Sequence, residues 1–151
     1  MNYKLLTLAL AATATIPSWA QDDASIAGAQ VFATHCVACH QAGGVGAPGL
    51  APALAGTLAQ RLGTPAGRRY VPGVLVNGLS GRIVSQGQPF VGAMPTQQAL
   101  SNVELAAVAN YVARELNGLT DFSFAPEDFE KARAEHLSHK DLRALREQAA
   151  P

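Results

Sequence analysis

One turn of chain concentrates the reactive groups: Cys36, Cys39 and His40, in the stretch THCVACHQ, which holds both cysteines of the 151 residues. A structural zinc site needs four ligands. These three would need His35, His136 or His139 as a fourth, and His40 directly after Cys39 strains a shared tetrahedron. A dithiol redox pair also uses Cys-x-x-Cys, but there the pair opens a helix that follows a strand. Here the residues before Cys36 predict a helix. A disulfide at this spacing is a tight closure. Covalent haem attachment accounts for every position. Two thiols three residues apart reach the two vinyl groups on one porphyrin edge from one helical turn, and the next histidine offers its imidazole to the iron.

An iron held by one histidine needs an opposite ligand or keeps an open position. After the N-terminal segment the chain has one methionine, Met94, 54 residues beyond His40 in QPFVGAMPTQQ, with Pro95 fixing the backbone behind it. Most methionines fill gaps in cores, but a lone one in a Gly/Pro-rich segment reads better as a sulfur ligand. A His/Met pair favours the reduced iron and so electron transfer at high potential. His35, His136 and His139 are the rival ligands. His35 leaves the same turn on the wrong side, and the other two lie in a polar stretch.

The segments that must position these groups come next. Residues 1–20 read as a secretory signal peptide: Lys4, the apolar run LLTLALAATATI, then PSWA with Ser18 and Ala20 at small-residue cleavage positions. Cleavage would start the mature chain at Gln21 and export it, with the periplasm the expected location. No later stretch reads as a membrane span. Without Lys4, ten basic side chains face eleven acidic ones, a balance that gives no electrostatic reason to expect nucleic acid as a partner.

Helical spacing of Ile26, Ala29, Phe32 and Ala33 predicts a helix over 24–39. From Gln41 to Pro95 the chain is rich in Gly, Pro and Ala and thin in large apolar residues. It needs something to wrap, and a haem's apolar surface would supply that core at about 25 cal/mol per Å² buried. Short helices are predicted over 57–62 and 71–77, the latter with Pro72 in its first turn, and a loop over 82–96. Ser101 with Glu104 forms a capping box for a helix that ends at Gly118, with an apolar face of Val103, Ala107, Val108, Tyr111, Val112 and Leu116. Beyond Leu119 the composition turns charged, and Pro126 and Ser138 each mark a short helix.

The residues from about Ala24 to Asn117 resemble the class I cytochromes c of the small bacterial periplasmic type. CVACHQAGGVGAPGLAPALAG is similar to the family's attachment site and Gly-rich loop, NGLSGRIVSQGQPFVGAMP to its ligand loop, and LSNVELAAVANYVAREL to its terminal helix. The resemblance implies an all-α cytochrome c fold of three to five helices around one covalently attached haem c, over 21–118, with a short helical extension over 119–151. It implies His40 and Met94 as axial ligands, and the Pro52 carbonyl as acceptor for the imidazole N–H. It further implies Leu54 packing on the ring, and a helix crossing at Gly28 with Phe32 meeting Tyr111. The family's usual glycine after the attachment histidine is Gln41 here, and the extension departs from the small carriers. The implied function is electron transfer, with no catalysis by the protein, as a carrier or haem subunit. Its redox partner would be a periplasmic dehydrogenase, an oxidase or another cytochrome. A peroxidase-like or gas-binding protein with an open sixth position is the alternative, and a docked assembly subunit a third reading. Arg82 is a candidate for a haem propionate, although a solvated arginine is the simpler assignment.

Overall fold

The computed structural model describes residues 18–149, so all of the expected leader but its last three residues lies outside the described part. The first helix, α1, runs Ser18–His35, starting earlier than its apolar spacing predicts. Cys36 interrupts it, and α2 follows as the single turn Val37–His40. A 3-10 turn at Ala42–Gly44 leads through a glycine-rich loop to α3, Ala59–Leu62. The next helix, α4, spans Pro65–Asn77 and is longer than predicted. Its start is set by Thr64, whose hydroxyl accepts the Gly67 N–H at 3.0 Å, with Pro65 in the first turn. Pro72 is therefore interior to the helix, not at its start.

Where a loop and an all-α chain are expected, the structure has a β-hairpin. Strand β1, Leu79–Ser85, pairs antiparallel with β2, Gln88–Met94, in the register Leu79↔Met94 to Ser85↔Gln88. The glycines and Pro89 that suggest a loop are tolerated because both strands are edges, with most of their side chains in solvent.

Helix α5, Asn102–Arg114, has the predicted capping box at Ser101 and Glu104. Its buried residues are Leu105, Ala106, Val108, Ala109 and Ala113; of the predicted face Val108 is buried, Ala107, Tyr111, Val112 and Leu116 are half-buried, and Val103 alone is exposed, at 66%. The crossing with α1 uses Ala107 and Tyr111 of that face. A Cβ on Gly28 would run into the Ala107 carbonyl and lie 2.8 Å from the Tyr111 Cβ, so only glycine lets the helices approach this closely. Beside it Phe32 meets Tyr111 at 5.4 Å between ring centroids.

Two further helices, α6 (Pro126–Glu135) and α7 (His139–Gln148), complete the fold. Despite their charge they are part of the core. Phe129 and Leu142 are fully buried. Phe129 stacks edge-on against Phe124, which meets Phe122, in the main cluster around Leu62, Leu105 and Ala109. Leu142 and Leu145 join Tyr70, Val74 and Leu79 in a second cluster against which Met94 and Ile83 pack. Arginines fasten the segment down. Arg133 donates to Asn102 Oδ1 and to the carbonyls of Gln98 and Leu100 at 2.7–3.1 Å, and Arg143 and Arg146 donate to the carbonyls of Ser80 and Val84 in β1. Among the described residues no helix is long and apolar enough to cross a membrane.

Candidate functional site

A cavity of about 550 Å³ opens between the loop after α2, helix α4 and the hairpin, and Cys36, Cys39, His40, Pro52, Leu54 and Met94 all line it. That size lies in the range of small-molecule and cofactor sites.

His40 is 7% exposed. Its backbone N–H bonds the Cys36 carbonyl at 2.9 Å, which winds the motif into one turn. Its Nδ1 lies 2.9 Å from the Pro52 carbonyl oxygen. A carbonyl only accepts, so Nδ1 carries the proton and Nε2 keeps its lone pair for a metal. Burial lowers the imidazole's pKa below the usual histidine value, with the Pro52 bond opposing, so the ring is held neutral as a ligand must be. Pro52 reaches His40 because the chain doubles back tightly: Gly46 N–H bonds the His40 carbonyl, and the Leu54 and Ala55 N–H groups both bond the Gly44 carbonyl. At Gly46, φ is +77° and an added Cβ would lie 2.5 Å from the Ala53 nitrogen, so the fold-back requires glycine.

Gln41, which stands where the resemblance implies a glycine, bears on this fold-back too. It has φ 62° and ψ 164°, a region that is essentially glycine's own. The family's glycine at this position therefore has a backbone reason.

Burial, and then the nearby Cys39, push the Cys36 thiol up to about 11. That is opposite to the activated cysteine of a dithiol exchanger. Among the described residues no group of three or more His, Cys, Asp or Glu side chains is arranged to hold a metal ion.

Met94 closes the other side as the last residue of β2, opposite Leu79. The chain behind it is tied back to α4: Thr96 Oγ1 donates to the Val76 carbonyl at 2.5 Å and Gln97 N–H to the Leu75 carbonyl at 2.8 Å. Of the rival histidines, His35 is exposed at the cavity rim, while His136 and His139 are exposed and away from it. Arg82 is also exposed and does not line the cavity. The arginines that do are Arg61 and Arg146, which sequence reading missed together with Tyr70 between them. Arg61 alone left a signal, a charge set between Leu58 and Leu62 in an apolar turn.

A helical wrap around a cavity with a Cys-x-x-Cys-His turn and a neutral, oriented imidazole defines a class, and the comparison with known families agrees. The cytochrome c family model matches residues 25–114, and the chain belongs to that family, as a class I cytochrome c. Among curated proteins it is similar to cytochrome c-552 of Thermus thermophilus, 36% identical over 125 residues that cover 79% of this chain and 93% of the relative. A second cytochrome c-552, from a particular strain of the same species, is also 36% identical over 125 residues, covering 79% of this chain and 82% of the relative. Both matches are longer than the family stretch. Membership carries haem-based electron transfer and one covalently attached haem c. The residues present fit that group: a neutral imidazole and a thioether line one apolar cavity, with two thiols beside the imidazole.

Proposed function

We propose that the chain is an exported, periplasmic electron carrier or haem subunit that moves single electrons through a haem c bound by Cys36 and Cys39 and ligated by His40 and Met94. The haem supplies a reversible ferric/ferrous couple. The chain's own residues do the rest. Cys36 and Cys39 fix the edge of the group, and the Pro52 carbonyl sets the tautomer and direction of the His40 ring. The Thr96 and Gln97 bonds hold the backbone from which Met94 reaches in, and Leu54 contributes apolar wall. With two protein ligands no position is left for substrate, so the protein transfers electrons without making bonds. The observation that carries this reading is that His40 and Met94 line one cavity, each backed by its own hydrogen bonds.

Residues 1–20 are the export signal in this proposal, residues 21–118 the haem domain, and 119–151 the extension. Cleavage after Ala20 would trim α1 by its first three residues. The partner is a dehydrogenase, an oxidase or another cytochrome. Leu50 and Val84, 60% and 53% exposed, line the cavity and give its mouth an apolar edge suited to transient contact.

Optical spectra in both oxidation states test the ligand pair. The ferric protein should show a sulfur-to-iron charge-transfer band that Met94→Ala abolishes, and the reduced wild type should not bind carbon monoxide while Met94→Ala does. Carbon monoxide binding by the wild type would instead favour the gas-binding or peroxidase-like reading.

A further inference from the structure

The chain just past α5 reaches across to the segment that carries Pro52. Asn117 is half-buried and does not line the cavity, yet both ends of its side-chain amide are engaged there. Its Oδ1 accepts the Leu58 N–H at 2.8 Å, and its Nδ2 donates to the Leu54 carbonyl at 2.9 Å and to the Val112 carbonyl at 2.8 Å. Beside it the Leu116 carbonyl accepts the Gly56 N–H at 2.9 Å. A Cβ on Gly44 would lie 2.8 Å from Leu116 Cδ1, so that side chain closes on the same fold-back.

Leu54 and Leu58 are the large apolar side chains of residues 52–58, so backbone bonds must set the path of this segment. One anchor is the Gly44 carbonyl, which accepts the Leu54 and Ala55 N–H groups at 2.8 and 3.0 Å. The Thr57 hydroxyl adds a bond of 3.2 Å to the Leu54 carbonyl. The other anchor is the Asn117 amide, joined to the segment from 59 and 63 positions away. Two residues before Leu54, the Pro52 carbonyl accepts the His40 Nδ1–H at 2.9 Å, and such a bond weakens steeply when its direction drifts.

We propose that Asn117 is a positioning residue for the redox centre: its bonds to Leu54 and Leu58 hold the Pro52 carbonyl where it keeps the His40 imidazole a strong donor. Residue 117 lies beyond the stretch matched by the family, 25–114. The inference rests on the reading of His40 as an iron ligand. A hydrogen bond on Nδ1 raises the basicity of the ring, and a more basic ring favours ferric iron. Loosening the segment should therefore shift the midpoint potential upward.

The test is proton NMR of the reduced holoprotein in wild type, Asn117→Ala, Asn117→Asp and Leu142→Ala, with potentials measured on the same samples. In the wild type the ring current of the haem should displace the His40 ring protons upfield. Their absence would sink the ligation reading and this inference with it; once they are seen, the variants decide the inference alone. Deuterium exchange of the His40 Nδ1 proton should be about tenfold faster in Asn117→Ala, with a raised potential. Asn117→Asp, isosteric and still an acceptor for Leu58, turns a carboxylate toward the Leu54 carbonyl and should exchange as fast. Leu142→Ala, which loosens α7, should melt earlier and keep the wild-type exchange rate. Equal acceleration in Leu142→Ala would overturn the proposal, because exchange would then follow global unfolding. So would wild-type exchange in Asn117→Asp, or an Asn117→Ala protein that melts earlier with wild-type exchange and potential, which would leave Asn117 a plain cap on α5.

Discussion

The wall that carries His40 is closed mostly by hydrogen bonds among residues 36–56, with ties to Leu116 and Asn117, whereas the wall that carries Met94 is gripped by side chains more than sixty positions beyond the strand they hold. On the first, backbone groups of Cys36, His40, Gly44, Gly46 and Pro52 satisfy one another. On the second, Arg143 and Arg146 hold the carbonyls of β1 from 63 and 62 residues away, and Leu142 and Leu145 pad the cluster on which Met94 rests. A two-stranded hairpin alone is marginally stable in water. His40 thus sits on a loop closed mostly by its own backbone and tied to the end of α5 by Asn117, which donates to the Leu54 carbonyl, and Met94 on an element that the C-terminal helices stabilise.

The largest effect should come from removing what both walls surround. Cys36→Ala/Cys39→Ala, unable to tether haem, should lose cooperative thermal unfolding and native-like circular dichroism, because the segment between the walls has little side-chain core of its own. A native-like spectrum from the haem-free variant would show the walls standing unaided. Leu142→Ala should cost about 2–5 kcal/mol and act unequally. In a guanidinium titration its sulfur-to-iron band should fade before the far-UV signal does. Coincident curves would erase the distinction between the walls.

On the His40 side the expected change is a gain. Gln41→Gly removes backbone strain, partly offset by the entropy of a more flexible unfolded chain, and should raise stability by about 1 kcal/mol, read as a higher denaturant midpoint at constant m-value. The smallest effect is acid sensitivity on the Met94 side. Hydrogen bonds from the Ser138 hydroxyl and backbone N–H hold the Asp141 carboxyl below its usual range, capping α7. A depressed folded value means the cap's contribution is complete above the unfolded value and is lost as pH falls through the folded one. The thermal midpoint should therefore drop on acidification, and Asp141→Asn should flatten that slope.

The two walls were unequally legible in the sequence. Cys36, Cys39 and His40 announce themselves because the chemistry needs them at adjacent positions, and Ser101 with Glu104 marks α5 by a purely local bond. The hairpin gave no such signal. Gly81, Gly87, Pro89 and Gly92 read as loop, and the face turned to the cavity has glycines at 81 and 92 interrupting the apolar set Leu79, Ile83, Phe90 and Met94. The role of α6 and α7 was hidden by composition: four buried residues, Phe129, Ala132, Leu142 and Leu145, sit among charges. The arginines there act by hydrogen-bonding distant carbonyls, a use that spacing cannot reveal.

The three bonds from Arg133 to residues 98–102 bear on how readily an iron held by Met94, as proposed, would change partners. A sulfur at the end of a strand can swing clear only if the backbone behind it gains slack. Thr96 and Gln97 are pinned to α4, and the next residues are pinned to α6. Ligand exchange would then be a latch problem: its rate follows how often a helix remote from the metal lets go, and weakening that latch would turn a sealed relay into a centre open to small molecules.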